Sequence, residues 1–285
     1  MGRQFIEFVQ SQWLPWRTNV LAGQRAALEV KVLSRDDADG ASSMLLRYPP
    51  SWCVQTPEPI AADEEFFVLR GRLSRDGTDY GLHDYAYLPA GHQAGLAAGP
   101  EGAIVMTYFS ATPEPITIQA AAQLHDPDRV ISRIETLLLP WDRTNMDPHI
   151  DHLHPFRKNL RLAPDGSGRT YLLGGLPQGF PASGEEPLER HPHNEEMFMI
   201  SGDMPCSRGV MRAGAYFWRP PGIWHGADCS VTGFLLLMRT PGVNATVSEW
   251  SETPHTVRVD PPFDPALPPG MDPSTVAPLR DPVEY

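Results

Sequence analysis

The amino-acid sequence predicts an all-β protein made of two tandem copies of one barrel. The segment EEFFVLRG at 64–71 returns as EEMFMISG at 195–202, and PAG at 89–91 returns as PPG at 220–222, both displaced by 131 positions. Each half also consists of short β-branched or aromatic runs separated by Gly, Pro, Asp and Asn. Helical periodicity is weak. Two motifs that share one displacement indicate a duplication rather than a chance match.

The elements follow in order along each half. The first half contains five predicted strands, at 28–33, 44–47, 65–69, 85–88 and 104–109. One helix is predicted around 126–135, where Asp126 suits the cap and Pro127 the first turn. The second half repeats the strand order at 169–173, 197–200, 215–219 and 233–239. Many short strands with regular turns are typical of a sandwich or a jelly-roll barrel.

The domain boundaries follow from the repeat. A weaker echo, LPWRTN at 14–19 and LPWDRTN at 139–145, opens each half. We therefore expect one barrel over residues 1–125 and a second over 126–250. The tail at 251–285 has nine prolines and little apolar periodicity. We expect it to form an extended Pro-rich arm, packed on the body of the protein or on a neighbouring subunit.

Composition excludes several classes of function. The 23 basic and 35 acidic side chains give a net charge of −12, which argues against binding to nucleic acid or to an anionic membrane. The first 16 residues have no export signal, and the longest apolar stretch, 233–238, is far too short to span a bilayer. Three cysteines without a CxxC pair argue against a disulfide framework. We expect a cytoplasmic protein.

Two spaced motifs stand in the second half. His191, Glu195 and Gly202 follow the pattern H-x3-E-x6-G, and Gly214 to His225 follow G-x5-P-x-G-x2-H. These residues resemble the two motifs of the cupin superfamily. Because the resemblance covers both halves, the chain is similar to a bicupin, which implies two tandem double-stranded β-helix (jelly-roll) barrels.

The chain departs from the cupin motifs at three positions. Glu189 stands where the first histidine of the first motif is expected, and Gly184 lies one residue later than the glycine that opens it. Cys229 replaces the final asparagine of the second motif. Glu189 is therefore either a fourth metal ligand or an acid–base group.

The resemblance implies that His191, Glu195 and His225 bind one divalent metal ion per chain. A turn at 192–194 would let His191 and Glu195 project from adjacent strands into one interior. Two imidazoles and a carboxylate form a facial set that suits Fe(II), Mn(II), Ni(II) or Zn(II), and we expect Fe(II). His193 is a rival to Glu189, although a turn or outer-sphere role is favoured.

Other side chains near the motifs are candidates for the substrate cavity. Alternation places Met197 and Met199 on the face of Glu195, where they are expected to fill the core. Arg219, Trp218 and His193 are the candidate substrate contacts, with Arg219 in the role of a carboxylate-binding residue. Other arginines available to an anionic substrate are Arg169 and Arg212. The aromatic residues expected to wall the cavity are Phe198, Tyr216, Trp218 and Trp224.

The first half keeps the fold signature and lacks the histidines. Glu58 and Glu64 match the two glutamates, whereas Ile60 and Ala94 replace the two histidines. We expect this barrel to be metal-free and to serve as a structural or dimerising partner in a homodimer. A displaced site that uses His83 or His92 is the less favoured alternative.

A second group of histidines, His149, His152 and His154, lies in the segment DPHIDHLHP at 147–155. This segment is either a metal-binding tract or lid, or a solvated loop between domains, and the loop is favoured because no strand or helix periodicity preorganises it.

The leading function is a mononuclear metal enzyme, expected to be a dioxygenase that acts on a small organic substrate. One alternative is a redox-neutral isomerase or lyase that uses Zn(II), Ni(II) or Mn(II) as a Lewis acid. The other is a non-enzymatic ligand-binding or sensor protein of the cupin type. The fold alone does not decide between them.

Overall fold

The computed structural model describes residues 2–54, 56, 58–178, 184–279 and 285. The chain divides into two compact units. The first unit is Leu14–Leu139 together with Met1–Arg3, and the second is Pro140–Tyr285 together with Gln4–Trp13. The described part of the chain contains no helix with the length and apolarity needed to cross a membrane.

Both units consist mainly of β-strands. The only α-helix among the described residues is α1, Ile118–Leu124. Short 3₁₀ turns occur at Ser11–Trp13, Gly23–Arg25, Pro127–Arg129, Thr136–Leu138, Pro148–Leu153 and Pro273–Thr275. The strands, in chain order, are β1 Ile6–Gln10, β2 Glu29–Arg35, β3 Ser42–Tyr48, β4 Cys53–Val54, β5 Glu64–Arg75, β6 Thr78–Tyr80, β7 Asp84–Leu88, β8 Leu96–Phe109, β9 Ile131–Glu135, β10 Phe156–Leu162, β11 Gly168–Gly175, β12 Glu185–Arg190, β13 Glu195–Cys206, β14 Gly209–Arg212, β15 Ala215–Arg219, β16 His225–Gly226, β17 Phe234–Pro241 and β18 Glu249–Thr256.

The two large sheets have the same strand order when the repeats are superposed. The first unit contains the order β2-β3-β8-β5-β7-β9, with β4 on β8 and β6 on β5. The second unit contains β10-β11-β17-β13-β15-β1, with β14 on β13, and a separate three-stranded sheet β16-β12-β18. The all-β prediction is confirmed, and every strand predicted from the sequence overlaps an observed one.

The two units exchange the first strand of each repeat. Strand β1 begins the first repeat in the sequence, but it pairs with β15 in the second unit. Strand β9 begins the second repeat, but it pairs with β7 in the first unit. The division therefore falls after Leu139 rather than at the expected 125/126 boundary, and residues 4–13 belong to the second unit.

Two local predictions were wrong. The helix expected at 126–135 is a 3₁₀ turn followed by strand β9. Asp126 does cap that turn, but the β-branched residues that follow favour a strand, and β9 finds an edge on β7. The segment from 251, assigned to the arm, begins inside β18, which pairs with β12.

The interior of the second unit is filled largely by methionine and aromatic side chains. A buried apolar cluster covers one face of its large sheet, which we call the interior face, and includes Phe8, Met197, Met199, Met204, Met211, Phe217, Leu236 and Met238. Met197 and Met199 are fully buried there, as the alternation along β13 predicts.

The glycine that ends the Glu-x6-Gly signature is required by close backbone packing in both units. Gly71 and Gly202 have φ of +73° and +87°. A Cβ atom at Gly71 would lie 2.0 Å from the carbonyl oxygen of Gly102, and one at Gly202 would lie 1.9 Å from that of Gly233. The motif therefore reflects a demand of the backbone, independent of the chemistry of either unit.

We predict that Gly202→Ala destabilises the second unit by about 3 kcal/mol or more, because the left-handed conformation costs about 1–2 kcal/mol and the backbone must also move. Gly242→Ala is the matched control, since Gly242 also has positive φ but no atom lies within 4 Å of its Cβ position. Denaturant unfolding of both variants measures the difference. Equal losses would show that the contact with Gly233 is not limiting.

Candidate metal centre

Four side chains predicted from the motifs meet in the second unit. Glu189 lies on β12, His191 directly after it, Glu195 at the start of β13 and His225 on β16. Glu189 and His225 are register partners on the three-stranded sheet, so their side chains lie on the same face. The turn at 192–194 then brings His191 and Glu195 to the same point.

The two imidazoles face the two carboxylates at short range. His191 Nε2 lies 3.4 Å from Glu195 Oε1 and 3.8 Å from Glu189 Oε1. His225 Nε2 lies 3.7 Å from Glu195 Oε2 and 3.8 Å from Glu189 Oε2. One donor atom each from Glu189, His191 and His225 falls within a 4.8 Å group. The histidines and Glu195 are buried, and Glu189 is partly exposed.

Backbone carbonyls orient both imidazole rings. His191 Nδ1 donates to the carbonyl of Val247 at 2.9 Å, and His225 Nδ1 to that of Ile223 at 3.1 Å. With Nδ1 as the donor, Nε2 of the neutral ring carries a lone pair directed at the carboxylates. His191 Nε2 is buried and has no hydrogen-bond partner. A lone pair kept in this way suits a metal ligand.

The donor atoms lie close enough together to be compared with the ligands of one divalent cation. Adjacent ligand atoms around an ion with bonds of about 2.1 Å are separated by about 3.0–3.4 Å. The observed nitrogen–oxygen distances of 3.4–3.8 Å are close to this spacing, and one donor atom from each of Glu189, His191 and His225 lies within 4.8 Å of the other two. Two imidazoles and two carboxylates are the donor types of Fe(II), Mn(II), Ni(II) and Zn(II) sites.

A buried chain of ion pairs fixes the carboxylate of Glu195. Arg219 Nη1 donates to Glu195 Oε2 at 3.1 Å. The same guanidinium donates to both carboxylate oxygens of Glu7, from Nη2 at 3.1 Å and from Nε at 3.3 Å. All three side chains are buried, so the contacts are little screened by solvent. Glu7 comes from the exchanged strand β1.

Burial and neighbouring charges shift the pKa values of the cluster in different directions. For His191, burial opposes the charged ring, but the carboxylates of Glu195 and Glu189 outweigh it and raise the pKa to about 9. Burial raises the pKa of Glu189. Burial, followed by the charge of Arg219, lowers the pKa of His225 to about 3.

Both ring nitrogens of His193 contact the backbone. Its Nδ1 lies 3.0 Å from the carbonyl of Asn194, and its Nε2 accepts a hydrogen bond from the amide of Val247 at 3.2 Å. The ring stacks on His191 at 5.0 Å with an interplanar angle of 13°. His193 therefore has the turn and outer-sphere geometry that the sequence favoured.

The candidate substrate contacts lie elsewhere than expected. Arg219 is saturated by two protein carboxylates. Trp218 lies on the opposite face of β15, opposite Glu196. Alternation also turns Phe198 and Tyr216 to that outer face, where Tyr216 donates to Glu196 at 2.6 Å. Trp224 is exposed under Arg190, so these four aromatics do not wall the interior.

The histidine-rich segment at 147–155 forms a turn. His149 Nδ1 contacts Asp147 at 2.8 Å, and its ring stacks on Trp250 at 4.6 Å. His152 Nε2 lies 3.1 Å from the carbonyl of Asp228. Among the described residues, the only group of side chains that could hold a metal ion is the one in the second unit, and His149, His152 and His154 do not belong to it.

In the first unit, arginines occupy the corresponding place. Glu64, the counterpart of Glu195, accepts hydrogen bonds from Arg25 Nη1 and Nη2 at 2.9 and 3.0 Å and from Arg75 at 2.8 Å. Glu58 Oε2 accepts a hydrogen bond from the backbone amide of Gln24 at 2.7 Å. Two guanidinium groups thus neutralise Glu64. Its counterpart in the second unit, Glu195, faces two imidazoles instead.

Sequence reasoning missed three participants. Glu7 and Ser248 lie far along the chain from their partners, with Ser248 hydrogen-bonded to Glu189 Oε1. Asp228 has a buried Oδ1 without a hydrogen-bond partner, and burial raises its pKa to about 7. Only the LPWRTN echo pointed to β1, because it shows that residues before 14 belong to the repeat.

Comparison with known proteins agrees with this architecture. The sequence model of the family DUF4437, described as a domain of unknown function, matches residues 6–246. None of the curated protein sequences is significantly similar to the chain. Among solved structures, a Nostoc punctiforme protein provisionally named a dioxygenase is 21% identical with a TM-score of 0.73, covering 88% of this chain and 92% of its own.

Oxalate decarboxylases share the fold at greater distance. The Bacillus subtilis enzyme, described with Mn(II) centres, is 12% identical with a TM-score of 0.56, covering 88% of this chain and 80% of its own. The Lactobacillus farciminis enzyme, in a formate complex, is 10% identical with a TM-score of 0.56, covering 85% and 88%. These similarities establish a cupin-like fold.

We predict that Glu7→Gln lowers the affinity for a divalent cation about 10- to 100-fold, because Arg219 would then carry uncompensated charge beside Glu195. Glu196→Gln is the matched control, since Glu196 is a buried carboxylate paired with Arg239 at 2.6 Å on the opposite face of β13. Competition with a chelator measures both affinities. Equal affinities in the two variants would contradict the role of Glu7.

A second prediction concerns Glu64 and pH. Burial favours its neutral form, but Arg25 and Arg75 outweigh this and lower its pKa to about 2, so its charge stabilises the folded state at neutral pH. That stability is present above about pH 4.5 and is lost as the pH falls toward 2. The stability gap between wild type and Glu64→Gln should therefore narrow over this range in urea unfolding.

The exposed Glu101→Gln variant is the control and should follow the wild-type curve. A gap between wild type and Glu64→Gln that stays constant from pH 5 to 2 would show that Glu64 is not held ionised by the arginines.

Proposed function

The chain belongs to the DUF4437 family, and we propose that it is a metalloenzyme with a cupin fold. It binds one divalent metal ion per chain, Fe(II) by preference, through His191, His225, Glu195 and Glu189. It acts on a small organic substrate as a dioxygenase. The observation that carries the proposal is the buried His191 Nε2, which lacks a hydrogen-bond partner and faces two carboxylates.

Each residue of the cluster has a distinct part in the proposed reaction. The bound metal would supply Lewis acidity and one-electron chemistry. Glu195, anchored by Arg219, fixes the inner side of the site. Glu189 is the most exposed member, and burial raises its pKa, so it can hold or release a proton at its oxygens where substrate arrives. The methionine-rich interior beneath the site excludes water.

The choice of a dioxygenase is supported by one structural relative and by the donor set. The Nostoc punctiforme protein shares the fold over nearly its whole length and carries a provisional dioxygenase name. Imidazole and carboxylate donors with a partly exposed side suit Fe(II) and a bidentate small molecule. The homodimer, the cytoplasmic location and the metal-free first barrel expected from the sequence stay predictions.

The proposal predicts that wild-type protein binds one equivalent of metal per chain and that His225→Ala loses it, because one of two imidazole donors is removed. His92→Ala, which removes a histidine of the first unit, should keep full metal content. Elemental analysis of the purified proteins and oxygen uptake with candidate substrates measure the two parts.

The two readouts separate metal binding from the reaction type. Equal metal content in wild type and His225→Ala would refute the assigned ligands. Metal-dependent turnover that continues without oxygen would refute the dioxygenase and favour a redox-neutral isomerase or lyase.

A further inference from the structure

Arg169 on β11 is a buried arginine whose charge is not neutralised. Arg75 and Arg219, which are similarly buried, each pair with a carboxylate at 2.8–3.1 Å. Arg169 is only 7% exposed, yet its polar contact is a neutral amide. Its Nε and Nη2 donate to Asn159 Oδ1 at 3.1 and 2.5 Å, and no carboxylate among the described residues lies within ion-pair distance.

Leaving this guanidinium unpaired is costly. A buried charge without a counter-ion loses hydration that a neutral amide only partly replaces. Burial lowers the pKa of Arg169, and the neighbouring charge of Arg157 acts in the same direction. The ring of Tyr171, 4.3 Å from the guanidinium carbon, adds a cation–π contact without a full negative charge. The surroundings of Arg169 therefore favour an added anion.

The sheet register places Arg169 in line with the metal centre. Arg169 pairs with Thr240 on β17. The β17–β13 register, in which Arg239 pairs with Glu196, sets Thr240 opposite Glu195 when extended by one residue. Arg169 and Glu195 thus lie in one cross-strand row, and two strand spacings separate their backbones by about 10 Å across the sheet.

The side chain of Arg169 lies on the interior face. Tyr171, two residues along β11, belongs to the buried cluster of that face, and alternation gives Arg169 the same orientation. Burial, followed by the charge of Glu195, raises the pKa of Tyr171 to about 12, which places this phenol in the field of the metal centre. Its partner Asn159 is exposed, so Arg169 is close to solvent on one side.

We propose that Arg169 binds the carboxylate of a small organic acid whose other end reaches the metal centre. The inference deepens the proposed function by giving the substrate class: a monocarboxylate with a second oxygen donor, such as a 2-hydroxy or 2-oxo acid. Only the second contact rests on the proposed metal site. The contact with Arg169 itself requires no metal.

Titration calorimetry with acetate, glycolate, pyruvate and inorganic phosphate tests the contact, using metal-free and Mn(II)-loaded protein. We expect a carboxylate to bind wild type and to bind Arg169→Gln about 10- to 100-fold more weakly, because a charge-assisted bond is lost. Arg169→Lys should bind with intermediate affinity, since it keeps the charge without the planar fork. Arg258→Gln, an exposed arginine of the same unit, should bind like wild type.

Asn159→Asp separates ligand binding from a structural role. It places an internal carboxylate against Arg169, so we expect the melting temperature to rise by about 2–4 °C while carboxylate binding falls as in Arg169→Gln. Arg169→Gln should keep its fold, since it removes a buried charge that no described carboxylate neutralises. A fall in melting temperature for Asn159→Asp, with binding unchanged, would overturn the proposal.

Further outcomes distinguish this inference from the proposed function. Equal carboxylate affinities in wild type and Arg169→Gln, no binding of any carboxylate to wild type, or selective binding of phosphate would overturn the inference and leave metal binding intact. If wild-type protein fails to bind a metal ion but its metal-free form binds acetate through Arg169, the metal site is overturned and the carboxylate contact is supported.

Discussion

The ion chain from Glu7 through Arg219 to Glu195 is the interaction on which the second unit depends. Arg219 is buried on the interior face, and its charge is met there by three carboxylate oxygens at 3.1–3.3 Å. Removing one partner from such a group typically costs about 3–5 kcal/mol. Strand β1 is therefore an electrostatic as well as a structural part of this unit.

In the first unit, arginine side chains neutralise the equivalent buried carboxylate. Glu64 and Glu195 begin equivalent strands of the two large sheets, and both are buried. Glu64 is neutralised by Arg25 and Arg75, whereas Glu195 has one arginine on one side and two imidazoles on the other. Backbone requirements, such as the close approach at Gly71 and Gly202, are common to both units. The pair of imidazoles beside the equivalent glutamate belongs to the second unit.

The sequence predicted the strands and the four residues that meet in the candidate metal centre because both leave local patterns. Short β-branched runs mark strands, and the spacing from His191 to Glu195 and from Pro220 to His225 is set within one turn each. It did not predict Glu7, which is 212 residues from Arg219 and belongs to no motif. The sequence also did not predict that β1 pairs with β15 and β9 with β7, because the local pattern of an edge strand does not specify the sheet that it joins. The aromatic wall expected from the sequence was wrong because alternation along β13 from Glu195 turns Phe198 to the outer face.

The balance of charge connects the metal centre to Arg169. Glu7, Glu189 and Glu195 with Arg219 give a net charge of −2 when the carboxylates are ionised, which a divalent cation would cancel. Burial opposes the charged form of His191, but the carboxylates raise its pKa to about 9, and burial raises the pKa of Glu189. Arg169, on the same face of the large sheet, adds a buried positive charge whose polar partner is a neutral amide. A substrate with one carboxylate would neutralise it and complete the site, whereas a neutral substrate would leave that charge buried and unpaired.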